Sequence, residues 1–428
     1  MRELKRSLRL FDGLAMVVGV VVGAGIFRTP GLIAGRLGRP WLTFVAWVLG
    51  GALAFLGALI FAELATRLPR AGGKYVYARE AFGPRAAFVI GAVEGLVLYP
   101  AAIAAISVAA GEFLARLFGW SGGVSLLGPA FVALFTAVNL TGVAAGRWVQ
   151  NVVTTAKILA LGGVVVVALV AGHGVGWHGA LAGAPRGVAV WGALAVAFQA
   201  VIWTYYGYVE AAKIAEEVVA PERTLPRVFL LGIAVVTGLY LLLNAAFLHV
   251  LPFEQVAASN LVAGDAAAAI FGTNGNLVIT ILALLVVLAS LNGNVFVTPR
   301  VLFGLARDGL LPAALARVNA GGTPAPAMVV VGVVAVGLAA TGQFGTLLSL
   351  AIIIVLVIDG FSVAALFRLR ARQPDAPFLV PYYPYLPAFF IAVYAVLLVG
   401  SALTQPRLAL MTAAVLGGTW GLSWTVRA

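Results

Sequence analysis

Apolar stretches of about 20 residues recur along the whole chain, cut by short polar or Gly/Pro-rich connections. They lie near 10–35, 41–66, 86–118, 124–145, 149–172, 189–218, 228–251, 274–307, 325–341, 345–368, 385–403 and 406–426. A helix needs about 20 apolar residues to cross the hydrocarbon of a bilayer. The pattern therefore predicts an all-α polytopic membrane protein with twelve transmembrane helices. The alternating strands of an outer-membrane barrel are missing. Met1 to Arg9 is basic, but the apolar stretch behind it is long and has no small-residue cleavage pattern, so the first helix is expected to stay.

Two of these stretches are poor uniform helices. The first contains Gly19-Val20-Val21-Val22-Gly23-Ala24-Gly25-Ile26-Phe27, with Pro30 soon after. Glycine costs a helix about 1 kcal/mol relative to alanine, and backbone opened within a bilayer is tolerated only where it lines a cavity or holds a ligand. Residues 23 to 27 thus read as half of a solute site. Gly19 and Gly23 also spell a small-xxx-small helix-packing pattern, which is the competing explanation. The sixth stretch runs Phe198-Gln199-Ala200-Val201-Ile202-Trp203-Thr204-Tyr205-Tyr206-Gly207-Tyr208-Val209-Glu210, followed by Lys213, Glu216 and Glu217. Four aromatics around one glycine predict a second discontinuous helix, and Glu210, Lys213 and Glu217 stand at i, i+3 and i+7, where they can pair along one face.

Interruptions in spans 1 and 6 occupy corresponding places if spans 1–5 are answered by spans 6–10. That placement points to a 5+5 inverted repeat with a site at the midplane. It divides the chain into a core over residues 1–370, with halves about 10–172 and 189–370, and two peripheral C-terminal helices over 371–428.

Polar residues inside the spans add candidate chemistry. Glu94 and Pro100 share the third span; the proline predicts a kink, and the carboxylate either has a structural partner, Arg85 being two turns away, or faces solute. Lys157 lies about 13 Å beyond Trp148 at about 1.5 Å per residue, too deep for easy escape to the surface. Such a lysine pairs, coordinates carbonyls or gives up its proton. Ser290-Leu291-Asn292-Gly293-Asn294 sits in the core of the eighth span, as helix glue or site lining. Among the connections, the loop from Leu68 to Tyr77 suits a short helix lying at the interface. The turn Pro221-Glu222-Arg223-Thr224-Leu225-Pro226-Arg227 offers charges to latch a gate.

The formal net charge is +12. Its distribution turns attention away from nucleic acid: nineteen of the 27 basic residues, Arg2 and Arg427 included, fall on the side that holds both termini and only five on the other. By the positive-inside rule that side is cytoplasmic, giving a multi-pass protein of the inner membrane with both termini inside. The chain has no cysteine, which removes disulfide and thiolate chemistry. His173, His178 and His249 form no ligand pattern, so no metal and no cofactor is expected. No nucleophile and base set appears, so an enzyme is not expected either.

Taken in order, Gly23-Ala24-Gly25-Ile26-Phe27, Pro69-Arg70-Ala71-Gly72-Gly73-Lys74-Tyr75, Gln150-Asn151 to Lys157, Glu216-Glu217 with Pro221 and Leu225-Pro226-Arg227, Ser290-Leu291-Asn292-Gly293 and Ala306-Arg307-Asp308-Gly309 resemble the amino acid-polyamine-organocation superfamily, and within it the bacterial form of the L-type amino acid transporter branch. The resemblance covers spans 1 to 10. It implies amino acid transport by alternating access through a 5+5 repeat. It further implies that the amides near Gly23, Ala24 and Gly25 receive a substrate carboxylate. The substrate ammonium would meet carbonyls around Val20 and Val21 and from Ile202 to Tyr205, with Trp203 closing over it as a gate. Lys157, with Ser290 nearby, matches a lysine that replaces a sodium ion, which argues against sodium coupling. Relatives commonly carry a small residue where Tyr206 stands, a tryptophan at the position of Tyr208 and a polar residue at that of Val209, so a reshaped side-chain pocket is expected. The animal branch is linked by disulfide to a heavy subunit, a bond this cysteine-free chain cannot make.

The resulting expectation is a secondary transporter of neutral L-amino acids, an exchanger or proton symporter, whose partners are a small-molecule amino acid and the bilayer. Cationic amino acids or polyamines are the alternative cargo if Glu94 or Glu210 faces the pocket unpaired. A non-transporting amino acid receptor is a third reading.

Overall fold

The computed structural model describes residues 4–120, 124–341 and 344–425, with side chains undescribed at 124 and 344–350. Arg2 and Arg427 lie outside the described residues. All regular elements among those described are helical. In chain order they are α1 (Leu10–Val21), α2 (Gly25–Leu37), α3 (Pro40–Arg67), α4 (Lys74–Phe82), α5 (Pro84–Val93), α6 (Tyr99–Phe118), α7 (Val124–Leu140), α8 (Val143–Ala171) and α9 (Ala189–Tyr205). The second half holds α10 (Pro221–Val250), α11 (Phe253–Ala258), α12 (Val262–Phe271), α13 (Gly275–Val297), α14 (Pro299–Arg307), α15 (Ala325–Ala340), α16 (Phe344–Arg372), α17 (Tyr385–Thr404) and α18 (Pro406–Leu422).

Among the described residues, eight helical segments are long and apolar enough to cross a membrane, or nine when α1 and α2 count as one span bent by 48°. The sequence pattern predicts twelve. The shortfall lies in α7, α15 and α18, of 17, 16 and 17 residues, at the short limit of the range, about 17–25 residues, that crosses the hydrocarbon. Leu159 and Val166 of α8 and Leu403 of α17 are 70, 62 and 79 % exposed. Large apolar side chains left bare on helices of such length are a lipid-facing surface.

Two local devices shape the interior. Pro100 has no N–H to return to the preceding turn, and the ladder widens just before it: the Tyr99 N–H donates to the Glu94 carbonyl, giving one π-type turn over Glu94–Leu98. The extra residue turns both Glu94 and Tyr99 into the buried interior. The helix break near Gly207 is the second device. Its φ of +125° lies where side-chain-bearing residues are strained, so α9 stops and the chain continues as a tighter 3₁₀ stretch, Tyr208–Glu217.

α1 packs on α8, α10 and α13, and α2 on α9, which sets the two interrupted segments side by side. Behind them Trp47, Tyr205 and Tyr240 form an aromatic wedge with ring centroids 5.0 to 5.9 Å apart. α17 packs on α16, and α18 lies over α5 and α16 with Thr412 alone of its described residues buried.

Candidate functional site

α1 ends at Val21, and Val22 is extended (ψ 92°) before α2 begins at Gly25. The opening therefore spans Val22 to Ala24, while Pro30 lies inside α2. The last carbonyls of α1 lose their helical partners here, and side chains from α8 and α13 replace them. Lys157 Nζ donates to the carbonyls of Gly19 at 2.8 Å and Val22 at 2.7 Å. Ser290 Oγ lies 2.9 Å from the Gly19 carbonyl, 3.3 Å from that of Val20 and 3.2 Å from that of Val22. Lys157 is fully buried and has no carboxylate partner among the described residues, so main-chain carbonyls alone hold its amino group. Gly19 lets α8 lie close to α1: a Cβ there would stand 1.9 Å from Gln150 Nε2 and 2.6 Å from Thr154 Oγ1.

The second opening lies one step later than the expected stretch from Ile202 to Tyr205, because Gly207 supplies the backbone freedom. Ile202 to Tyr205 form the last turn of α9, and Tyr206 is extended (ψ 145°). The hydroxyl of Tyr240 sits 3.0 Å from the carbonyls of both Val21 and Thr204, donating to one at a time and tying the two breaks together.

Between the breaks is a cavity of about 570 Å³. Val20, Val21, Gly23, Ala24, Gly25, Trp203, Tyr206 and Ser290 line it. Ile202 and Tyr205 do not: Ile202 lines a small void with Val355 and Leu397, and Tyr205 turns away to donate to the Trp47 carbonyl at 3.1 Å. Lys157 stays behind α1, outside the lining. Trp203 and Tyr206 stack nearly parallel, centroids 6.1 Å apart. The cavity extends past Thr29 to Arg28 and Glu112, both exposed, so it opens toward the end of the molecule opposite the termini.

Several charged groups stand elsewhere than the sequence suggests. Glu94 pairs with Lys74 at 3.0 Å, not with Arg85. α4 does not lie on the interface; Lys74, Tyr75, Val76, Tyr77 and Ala78 are buried, because the paired glycines 72 and 73 at positive φ turn the chain inward. Lys213 pairs with Glu210, but Glu217 leaves that face and meets Arg300 at 2.8 Å, since 3₁₀ winding does not carry i+7 back to i. Residues 221–227, expected as a turn with a latch, are the first turns of α10, where Pro221 can begin a helix because its missing N–H is not needed there, and Glu222, Arg223 and Arg227 are exposed.

The closure is built from other residues. Arg307 meets Glu216 at 2.6 Å, Asp308 meets Arg70 at 2.7 Å and Arg79 at 2.8 Å, and the Ala71 N–H donates to Glu216 at 2.9 Å. Burial, and next the Asp308 carboxylate, raise the Tyr75 hydroxyl above its ordinary pKa, so it remains a donor to Asp308 at 3.4 Å. The N-terminal segment joins in, with Ser7 and Leu8 N–H groups on the Glu217 carbonyl at 2.8 and 2.9 Å. Asp359, which sequence reading passed over, pairs with Lys74 at 2.7 Å. A lone carboxylate inside the apolar run of α16 was the available signal.

Comparison with known proteins adds the decisive observation: the family model described as amino acid permease matches residues 8–424. The chain belongs to the amino acid permease family. The family falls within the amino acid-polyamine-organocation superfamily that the motifs resemble. This permease is 28 % identical over 400 residues to the serine/threonine exchanger SteT of Bacillus subtilis, covering 91 % of this chain and 89 % of that one. It is 31 % identical over 402 residues to the human cystine/glutamate transporter, covering 91 % and 78 %. To the human large neutral amino acids transporter small subunit 2 it is 28 % identical over 424 residues, covering 94 % and 77 %. It is a multi-pass membrane protein.

Proposed function

We propose that this permease moves neutral L-amino acids across the cytoplasmic membrane by alternating access, as an exchanger or proton-coupled symporter. The observation that carries the reading is the cavity between the two breaks. The N-terminus of α2 at Gly23, Ala24 and Gly25 offers amide donors and the positive end of a helix dipole, suited to a carboxylate. The C-terminal ends of α1 and α9 present the negative end of a dipole and carbonyls with a second lone pair beside the bonds from Lys157, Ser290 and Tyr240, suited to an ammonium. Opposed ends of this kind across one hollow are complementary to an α-amino acid zwitterion.

Charge in the cavity favours neutral cargo over the cationic alternative. Glu210 lines the hollow but is already engaged by Lys213 and by the Tyr99 hydroxyl at 2.5 Å. Glu94 is spoken for by Lys74. Trp203, half-buried on the wall, is the proposed gate, and Tyr206 limits the side-chain pocket. Lys157 and Ser290 act as a fixed amino group and hydroxyl in place of a metal ion. In this reading the bent α1–α2 pair, α5–α6, α9 with its 3₁₀ stretch, and α12–α14 each form one span. With α3, α8, α10, α16 and α17 and the short α7, α15 and α18 these give twelve, arranged as two five-helix repeats over about 10–172 and 189–370 and two peripheral helices after residue 371. The termini are then cytoplasmic, the ion-paired end faces the cytoplasm, and the conformation is outward-open.

Proteoliposomes loaded with unlabelled amino acids test this by counterflow of labelled neutral, cationic and acidic L-amino acids. Neutral L-amino acids are expected to exchange. Binding without counterflow would leave a receptor, and exchange confined to cationic amino acids would reverse the cargo assignment.

A further inference from the structure

Beneath the cavity, on its closed side, five buried charged side chains converge, of which Glu210 also reaches the cavity wall. Lys74 comes from α4, Glu94 from the π-type turn, Asp359 from α16, and Glu210 and Lys213 from the 3₁₀ stretch; each is at most 1 % exposed. Lys74 Nζ bridges two carboxylates, 2.7 Å from Asp359 Oδ1 and 3.0 Å from Glu94 Oε1. The second lysine serves a single carboxylate, Glu210, whose other oxygen accepts from Tyr99. The remaining titratable groups facing the cluster are hydroxyls: Tyr77 from α4, Tyr99 from α6, Tyr206, Tyr208 and, from α17, Tyr394. Arg300 and Arg307 of α14 are consumed by Glu217 and Glu216. Arg368, Arg370 and Arg372 of α16 point to the Ala81 carbonyl, to Glu63 and to the Glu80 carbonyl.

Three carboxylates against two ammonium groups leave one negative charge over. Neither oxygen of Glu94 receives a well-directed hydrogen bond, and Asp359 Oδ2 has no partner. Burial without a countercharge disfavours an ionised carboxylate so strongly that it binds a proton instead. Glu210 is fully served, so the deficit belongs to the pair that shares Lys74.

A route joins this pair to the cavity. Tyr206 lines the hollow, its oxygen accepts from Lys74 Nζ at 2.8 Å, and its hydroxyl lies 3.4 Å from Asp359 Oδ1. Because the ammonium occupies the acceptor side of the Tyr206 oxygen, the hydroxyl proton is directed at Asp359. That proton can pass to Asp359 while Tyr206 is reprotonated by a hydrated proton in the cavity, leaving Tyr206 unchanged and one proton on the carboxylate pair.

We propose that Glu94 and Asp359, bridged by Lys74, form the binding site for one proton that travels with the substrate, with Tyr206 as its entry from the cavity. This rests on the transport reading above and names its coupling ion. One proton moved down a gradient of one pH unit drives about tenfold accumulation.

The test uses the full chain in proteoliposomes, with a labelled neutral L-amino acid that shows counterflow at equal pH on both sides. Wild-type protein should accumulate it about tenfold per unit of imposed pH gradient. Glu94→Gln and Asp359→Asn each leave two carboxylates with two lysines, so both should keep counterflow and lose gradient-driven accumulation. Wild-type counterflow without accumulation, or accumulation that survives both substitutions, would overturn the proton site while leaving transport intact. No counterflow at all would overturn the transport reading and this inference with it. Infrared spectra of the purified protein at neutral pH read the proton directly, even where a variant transports nothing. A protonated-carboxyl carbonyl band lost in Glu94→Gln or Asp359→Asn is expected, and its absence from wild-type protein would refute the site.

Discussion

Lys157 shows how a single residue holds an interrupted helix open. Its amino group replaces the helical N–H partners that the Gly19 and Val22 carbonyls have lost, and a hydrogen bond of this kind is worth about 0.5–1.5 kcal/mol net. Lys157→Ala removes both bonds but also removes a buried polar group without a carboxylate partner, so the two effects on stability oppose each other. Uptake should fall about tenfold, by analogy with the loss of two such bonds, while the amount of protein in the membrane stays near wild type; transport and immunoblot of the same vesicles check both. The glycines act oppositely. Gly19→Ala drives a Cβ into Gln150 Nε2 and disturbs the chain Asn139–Asn292–Gln150, linked at 2.9 and 2.8 Å. Overpacking of this kind costs about 1–3 kcal/mol, read as a lowered melting temperature in detergent. At Gly25 a Cβ meets Thr204 Cγ2 at 3.3 Å, a tight contact that a shift of the Thr204 side chain by a few tenths of an ångström relieves. Gly25→Trp on the cavity wall should fill the cavity, abolishing amino acid binding in a calorimetric titration of variant protein that still elutes as a single folded species.

At the scale of elements, the 3₁₀ stretch Tyr208–Glu217 links the site to the closed end. One end carries Glu210 at the cavity, and the other carries Glu216 and Glu217, clamped by Arg307, Arg300 and the N-terminal segment. Arg300 is fully buried, and removing one partner of such a pair costs about 3–5 kcal/mol because the other charge is stranded. Arg300→Met should destabilise by that amount in a thermal melt, whereas Arg300→Met with Glu217→Leu should recover most of it. Failure of the double variant to recover would mean that the Arg300 contact with the Phe296 carbonyl, rather than the ion pair, holds α14 in place. α4 is coupled to the same stretch, since the Gly72 N–H donates to the Lys213 carbonyl at 3.0 Å.

Across the whole molecule the asymmetry is between a hollow end and an ion-paired end. The absence of cysteine makes this directly testable, because any introduced thiol is unique. Thr29→Cys, on the cavity wall toward the hollow end, should react in intact cells with a membrane-impermeant thiol reagent. Arg223→Cys, exposed beside the closed end, should react only after the cells are permeabilised. The opposite pattern would invert the orientation inferred from the basic residues.

Much of this was legible in the chain itself. Repeating apolar length specifies a membrane solvent, and Gly23, Gly25 and Gly207 mark weak winding because glycine's backbone freedom is a local property. Family motifs are local too, and they lead to the amino acid permease match. What the sequence left open was everything that depends on which side chains meet. The i, i+3, i+7 spacing counted from Glu210 suggested that Glu217 joins Lys213 along one face, and packing gave it to Arg300. The gap of two turns suggested Arg85 for Glu94, and the inward turn at Gly72 and Gly73 brought Lys74 instead. Ion pairs in a low-dielectric interior are chosen by three-dimensional approach, since attraction there outlasts any spacing along one helix. The surplus carboxylate beside Asp359 exists only because four separate elements converge, and no linear pattern contains that convergence.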